Sequence, residues 1–257
     1  MCVSDDSHPP IPAVEGGAID SSEVILRSDD GTEFKAFAAN AAEPSGAGVV
    51  VLPDVRGLHP FYHELAMRFA EAGHDAIAMD PYGRTAGTAP RGADFDHMTH
   101  APQATYDGLL ADLRASAAEL GRRAAGHDRA VFTIGFCAGG RLAFDSAAAG
   151  LGLAGVIGFY GFPVGPTRTD VPAPVDLVGQ MACPVLGLFG GADRAIAPSV
   201  VEEFESALSR AGVRHRVVSY PDAPHSFFDK ASTEHAAAAI DAWQQVLGFI
   251  AENTPPA

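Results

Sequence analysis

Three residues, set in order along the chain, have the types and context of a nucleophilic relay. Cys137 stands in Ile134-Gly135-Phe136-Cys137-Ala138-Gly139-Gly140, where an apolar run meets a helical pattern. Asp193 closes Gly191-Ala192-Asp193 after a second apolar run, and His225 follows a third, in Pro224-His225-Ser226-Phe227. A thiol attacks a carbonyl well only as its thiolate, so it needs a base, and the base needs an acid to orient it. His225 is the expected base, and Asp193 the acceptor that fixes its tautomer. The chemistry expected of such a set is acyl transfer through a covalent intermediate on Cys137.

The glycines around Cys137 have a physical reason. A strand that turns directly into a helix at the nucleophile bends so sharply that side chains two positions away on either side would clash. Gly135 and Gly139 remove them. The turn also places Cys137 at a helix N-terminus, where free N–H groups favour a thiolate. The N–H of Ala138 is one expected oxyanion donor. The second is expected from the loop Pro53-Asp54-Val55-Arg56-Gly57-Leu58, with the Val55 N–H as candidate. Asp54 and Arg56 are candidates for the same mouth.

The elements that must position these groups are legible as alternating patterns. Apolar runs at 48–53, 75–82, 130–136, 155–161, 184–191 and 215–221 mostly lack polar alternation. That suits strands covered on both faces of a parallel sheet. Helical stripes fill the gaps: Phe61, Leu65, Phe69 and Ala72; Leu109, Leu110, Leu113, Ala117 and Leu120; and Ile240, Trp243, Leu247 and Ile250. Ser199 to Glu202 reads as a capping box. Asp29-Asp30-Gly31 between two extended runs reads as a hairpin turn. The pattern predicts an α/β fold, a doubly wound and mostly parallel sheet with helices on both faces. Residues 1–20 read as a tail and 21–257 as a single domain. Two irregular stretches, 85–105 and 164–176, are expected lid or substrate loops.

Composition narrows the function classes. The chain of 257 residues has 17 Lys+Arg against 32 Asp+Glu, a net charge of −15. That balance disfavours nucleic acid and anionic membranes as partners. Three cysteines, Cys2, Cys137 and Cys183, with no CxxC pair, disfavour a disulfide framework or a structural zinc site. His59 with His63, and the residues Asp94 to His100, lack a third ligand at a telling spacing, so no metal is expected. The N-terminus lacks the basic and apolar regions of a secretory signal, and a cytoplasmic location is expected.

These residues resemble the dienelactone hydrolase family of α/β-hydrolases. The resemblance spans about residues 22–250. It rests on Gly-Phe-Cys-Ala-Gly-Gly at the nucleophile, Gly-Gly-Ala-Asp at the acid, Pro-His-Ser-Phe at the histidine and Met79-Asp80-Pro81-Tyr82-Gly83-Arg84. It implies cofactor-free hydrolysis of small carboxylic esters or lactones by a monomer or homodimer. It also implies Cys137, Asp193 and His225 as the triad, with Val55 and Ala138 as oxyanion donors. Two departures stand out. The best-known members carry Glu where this chain has Asp54. They also carry an Arg four positions after the histidine, which grips the substrate carboxylate; this chain has Asp229. Arg56, Arg84 and Arg91 are the substitute cations to consider. Two other readings stay open at this stage: a non-catalytic small-ligand binder of the same fold, and a thiol redox sensor.

Overall fold

The structure, a computed structural model, describes residues 7–14, 20–91, 94–123 and 129–255; Cys2 lies outside them. In chain order the main elements are β1 (Asp20–Arg27), β2 (Glu33–Asn40), β3 (Ala47–Leu52), α1 (Pro60–Glu71), β4 (Asp75–Met79), α2 (Gly83–Ala86), α3 (His97–His100), α4 (Tyr106–Arg123), β5 (Ala130–Phe136), α5 (Ala138–Ser146), β6 (Gly155–Phe159), α6 (Pro174–Leu177), β7 (Val185–Gly190), α7 (Pro198–Ala211), β8 (His215–Tyr220) and α8 (Ala236–Asn253). The eight strands form one sheet in the order β1-β2-β4-β3-β5-β6-β7-β8. β1 and β2 pair antiparallel, and so do β2 and β4. Every pairing from β4 through β8 is parallel.

The expected hairpin is present, with Arg27 opposite Glu33 and Gly31 turning at φ 86°. Gly supplies that positive φ without steric cost. Strand β3 explains why the central runs do not alternate in polarity. Its Val49 and Val51 pack on one face with Phe61, Phe69 and Trp243. Its Val50 and Leu52 pack on the other with Leu109, Leu113 and Leu120. Both faces are covered, so every position must be apolar.

Strand order reverses at β3. The chain crosses from β3 to β4 on one side and returns to β5 on the other. Loops leaving β3 and β5 therefore diverge and open a crevice, the usual ligand position in a doubly wound sheet. Cys137 follows β5, and the loop containing Val55 follows β3.

Two local expectations need correction. Helix α7 begins at Pro198 with Ala197 as its N-cap and no side-chain cap bond, so the capping box at Ser199 does not form. Pro198 at the first position has its φ already set for a helix, which starts it two residues earlier. In α8 the buried face is Ala239, Ala242, Trp243, Val246, Phe249 and Ile250, while Ile240 is 55% exposed. Small Ala239 and Ala242 let the helix approach the sheet, and that rotates Ile240 outward. Residues in the expected tail also make specific contacts: His8 meets Glu64 at 2.9 Å, and the Val14 N–H donates to Glu71 at 3.1 Å. β1 already begins at Asp20. Among the described residues no helix is long and apolar enough to cross a membrane.

Candidate active site

Cys137 caps the N-terminus of α5 with φ 53° and ψ −112°, a strained conformation for a side-chain-bearing residue. Its N–H donates to the Phe159 carbonyl at 3.0 Å, tying the turn to β6. The close approaches are severe. A Cβ on Gly135 would stand 1.9 Å from the Gly139 oxygen, and one on Gly139 would stand 2.2 Å from the Leu52 oxygen. Both glycines are therefore dictated by the bend.

Asp193 follows β7 and is buried. Its Oδ1 accepts from the N–H groups of Ala195 at 2.7 Å and Ile196 at 3.2 Å. Those bonds aim Oδ2 at His225 Nδ1, 2.6 Å away. With Nδ1 engaged, Nε2 is the nitrogen left to exchange a proton with Cys137, which borders the same cleft. Burial disfavours a charged His225, but Asp193 and Cys137 outweigh it and raise the imidazole pKa to about 9. Tyr160, itself at φ 38°, packs against the His225 ring with centroids 4.9 Å apart.

The loop after β3 is fixed by hydrogen bonds. Asp54 N–H donates to the Tyr62 hydroxyl at 2.9 Å, and Gly57 N–H donates to the Asp54 carbonyl at 3.0 Å. The Tyr82 hydroxyl donates to the Val55 carbonyl at 2.6 Å. A trans peptide points its N–H opposite its carbonyl, so locking the Asp54 carbonyl also sets the direction of the Val55 N–H. Val55 and Ala138 line the same cavity as Cys137.

Arg56 bridges two carboxylates. It donates to Asp54 Oδ2 from Nε at 3.0 Å and from Nη2 at 2.5 Å, and Nη2 also donates to Asp229. Burial opposes charge on Asp54, but Arg56 holds its carboxyl below the usual range. Asp229, sharing the same cation, is pushed up by burial. Asp229, four positions past His225, thus occupies Arg56 rather than presenting a cation of its own. Arg84 and Arg91 sit apart: Arg84 meets Asp112 at 2.8 Å and Asp30 at 2.5 Å, and Arg91 meets Asp80 at 2.6 Å. Neither lines the cavity or the cleft beside Cys137.

Both irregular loops wall the cavity, through Met98, Pro102 and Ala104 from one and Thr167, Arg168 and Val171 from the other. Tyr82 and Phe162 line it, while Phe61, Tyr62, Phe159 and Tyr160 are buried in the core. Sequence reasoning missed Arg141, one helical turn past Cys137. It is 2% exposed, lines the cavity and donates to the carbonyls of Phe162, Gly165 and Val171 at 3.0, 2.9 and 3.0 Å. Its position after the nucleophile was the available signal, but the loop it grips lies over 20 residues downstream. The paired histidines do not act together: His63 stacks on Phe37 and His59 packs against Tyr62. Burial pushes the Cys183 thiol up to about 11.

The chain is similar to known proteins along most of its length. The profile of the dienelactone hydrolase family matches residues 34–254. A Salmonella typhimurium protein called "Putative carboxymethylenebutenolidase" is 34% identical over 242 residues, covering 92% of this chain and 88% of that protein. The carboxymethylenebutenolidase of Rhodococcus opacus is 29% identical over 259 residues, covering 97% and 96%. The crystal structure of a "Putative Dienelactone Hydrolase" from Klebsiella pneumoniae superposes with a TM-score of 0.79 at 30% identity, covering 91% of this chain and 99% of that one. With its sheet order, its elbow and these relatives in agreement, the chain belongs to the dienelactone hydrolase family and has the α/β-hydrolase fold.

Proposed function

We propose that the protein hydrolyses small carboxylic esters or lactones through a thioester on Cys137. One observation carries the reading: Asp193 grips His225 at 2.6 Å while the imidazole meets the sulfur of a residue strained at φ 53°. Cys137 Sγ attacks the carbonyl carbon, and its proton resides on His225. The backbone N–H groups of Val55 and Ala138 receive the developing oxyanion. His225 then protonates the leaving oxygen as the C–O bond breaks. Water deprotonated by His225 attacks the thioester, releasing the acid and restoring the thiol.

Asp54 enters this reading as a fixed anion. Arg56 holds it charged, so its role is to orient the loop after β3 rather than to exchange protons in each turnover. A substrate role for Arg84 and Arg91 finds no support, since carboxylates already occupy both guanidinium groups.

The test is hydrolysis of short p-nitrophenyl esters. Cys137→Ala is expected to lose turnover by about 10³-fold or more. Equal rates in the wild type and the variant would remove Cys137 as nucleophile.

A further inference from the structure

Cys137 stands between two hollows with different linings. One is a cavity of about 480 Å³, walled by Met79, Leu109, Leu142, Phe162 and Val171. The other is an open cleft of about 690 Å³, bordered by Arg194, Asp222, Lys230 and His235. Asp54, Val55 and Cys137 border both. His225 and Asp193 border the cleft, and neither lines the cavity.

That asymmetry assigns the two sides of a substrate. A carbonyl held at Cys137 sends its carbon chain one way and its leaving oxygen the other. The leaving oxygen must lie on the side from which His225 delivers a proton. That side is the cleft bordered by Arg194, Asp222, Lys230 and His235, so the acyl chain enters the more apolar cavity. Resting on the thiol-hydrolase reading, we infer that the preferred substrate is an open-chain ester joining a neutral, apolar acyl group to a hydrophilic alcohol.

The charge of the acyl group follows from Arg141. Its guanidinium reaches the cavity but is already solvated by three loop carbonyls. Its Nε has no protein partner, so that N–H is left for a neutral substrate oxygen. Arg56 is held by Asp54 and Asp229. Arg168 also walls the cavity but is exposed, so a carboxylate buried among Leu109, Leu142 and Val171 would lose its water without a cation beside it, which is costly. The bond that breaks is the acyl C–O bond. The alcohol leaves through the cleft with the His225 proton, and the acyl group stays in the cavity as thioester until water attacks.

The experiment compares kcat/KM for p-nitrophenyl acetate, butyrate, hexanoate and monoadipate, with Cys137→Ala as the reference. A second pair compares glyceryl hexanoate with hexyl hexanoate. Cys137-dependent kcat/KM is expected to rise by about tenfold or more from acetate to hexanoate, and to fall by a similar factor from hexanoate to monoadipate. Glyceryl hexanoate is expected to outpace hexyl hexanoate. Val171→Phe is expected to move the optimum toward shorter acyl chains. A flat or falling chain-length profile, with turnover still dependent on Cys137, would overturn the acyl assignment alone. A preference for monoadipate would overturn the neutral acyl group and make Arg141 a carboxylate site. A preference for the hexyl ester would overturn the hydrophilic alcohol. Full activity in Cys137→Ala would remove the underlying reading and this inference with it.

Discussion

Two arginines of this chain are each clasped by two aspartates, and they do different things. Arg84 joins Asp30 of the hairpin turn to Asp112 of α4, which also accepts from the Ser28 hydroxyl at 2.5 Å. That cluster welds the antiparallel edge of the sheet onto its helical cover. Arg56 joins Asp54, in the loop after β3, to Asp229, just past the histidine. That cluster links the loop bearing one expected oxyanion donor to the segment bearing the base. The side-chain chemistry is nearly the same in both. Only the loops being connected give one cluster a bearing on the reaction.

The comparison breaks most sharply at the arginines. Arg56→Ala is expected to cost about 3–5 kcal/mol in urea denaturation, because it strands buried carboxylates. It is also expected to lower kcat/KM by about 10²-fold through misplacement of the Val55 loop. Arg84→Ala is expected to lose less stability, because Asp30 is exposed and water can replace its partner, with kcat/KM of the folded enzyme unchanged. A drop in kcat/KM for Arg84→Ala matching that for Arg56→Ala would erase the distinction.

Proton linkage separates the two regions next. The folded-state pKa of His225 is raised from 6.5 to about 9. Between those values the folded state binds more protons than the unfolded chain, so stability falls as pH rises. The stabilisation is fully present below pH 6.5 and is lost by about pH 9, with an upper bound of about 3 kcal/mol. Thermal melts across this range should show the decline. His225→Gln should flatten it, whereas Arg84→Ala should retain the wild-type slope.

The smallest effect is expected at Asp229→Asn. Burial already pushes that carboxyl toward its neutral form, and Asp54 remains on Arg56. A cost of about 1 kcal/mol is expected in the same denaturation assay. A loss equal to that of Arg56→Ala would mean that Asp229, rather than Asp54, carries the cluster.

The parts legible in the sequence were those imposed by local geometry. Gly135 and Gly139 announced the elbow because no other residue fits a bend with approaches near 2 Å. Five of the apolar runs announced the parallel strands β3 to β7 because burial on both faces leaves no room for polar alternation, while β8 at the sheet edge is only partly buried. Asp193 and His225 were legible from their places just past strands. Pairings across long separations were not. Arg56 and Asp229 lie 173 positions apart, and nothing local to either encodes the bridge. Arg141 was hidden for a related reason: its role depends on a loop that folds back over the cavity. The face of α8 was misjudged because alanines carry little hydrophobic signal, yet they decide how closely a helix can pack.

The central claim is that Cys137 carries the acyl group, and intact-mass measurement of acid-quenched reactions tests it directly. Wild-type protein mixed with p-nitrophenyl hexanoate should gain the mass of one hexanoyl group in the pre-steady state. Peptide mapping should place that group on Cys137, and hydroxylamine should remove it. A hexanoyl group mapped to another residue, or full turnover with no adduct on Cys137 at any quench time, would contradict the account.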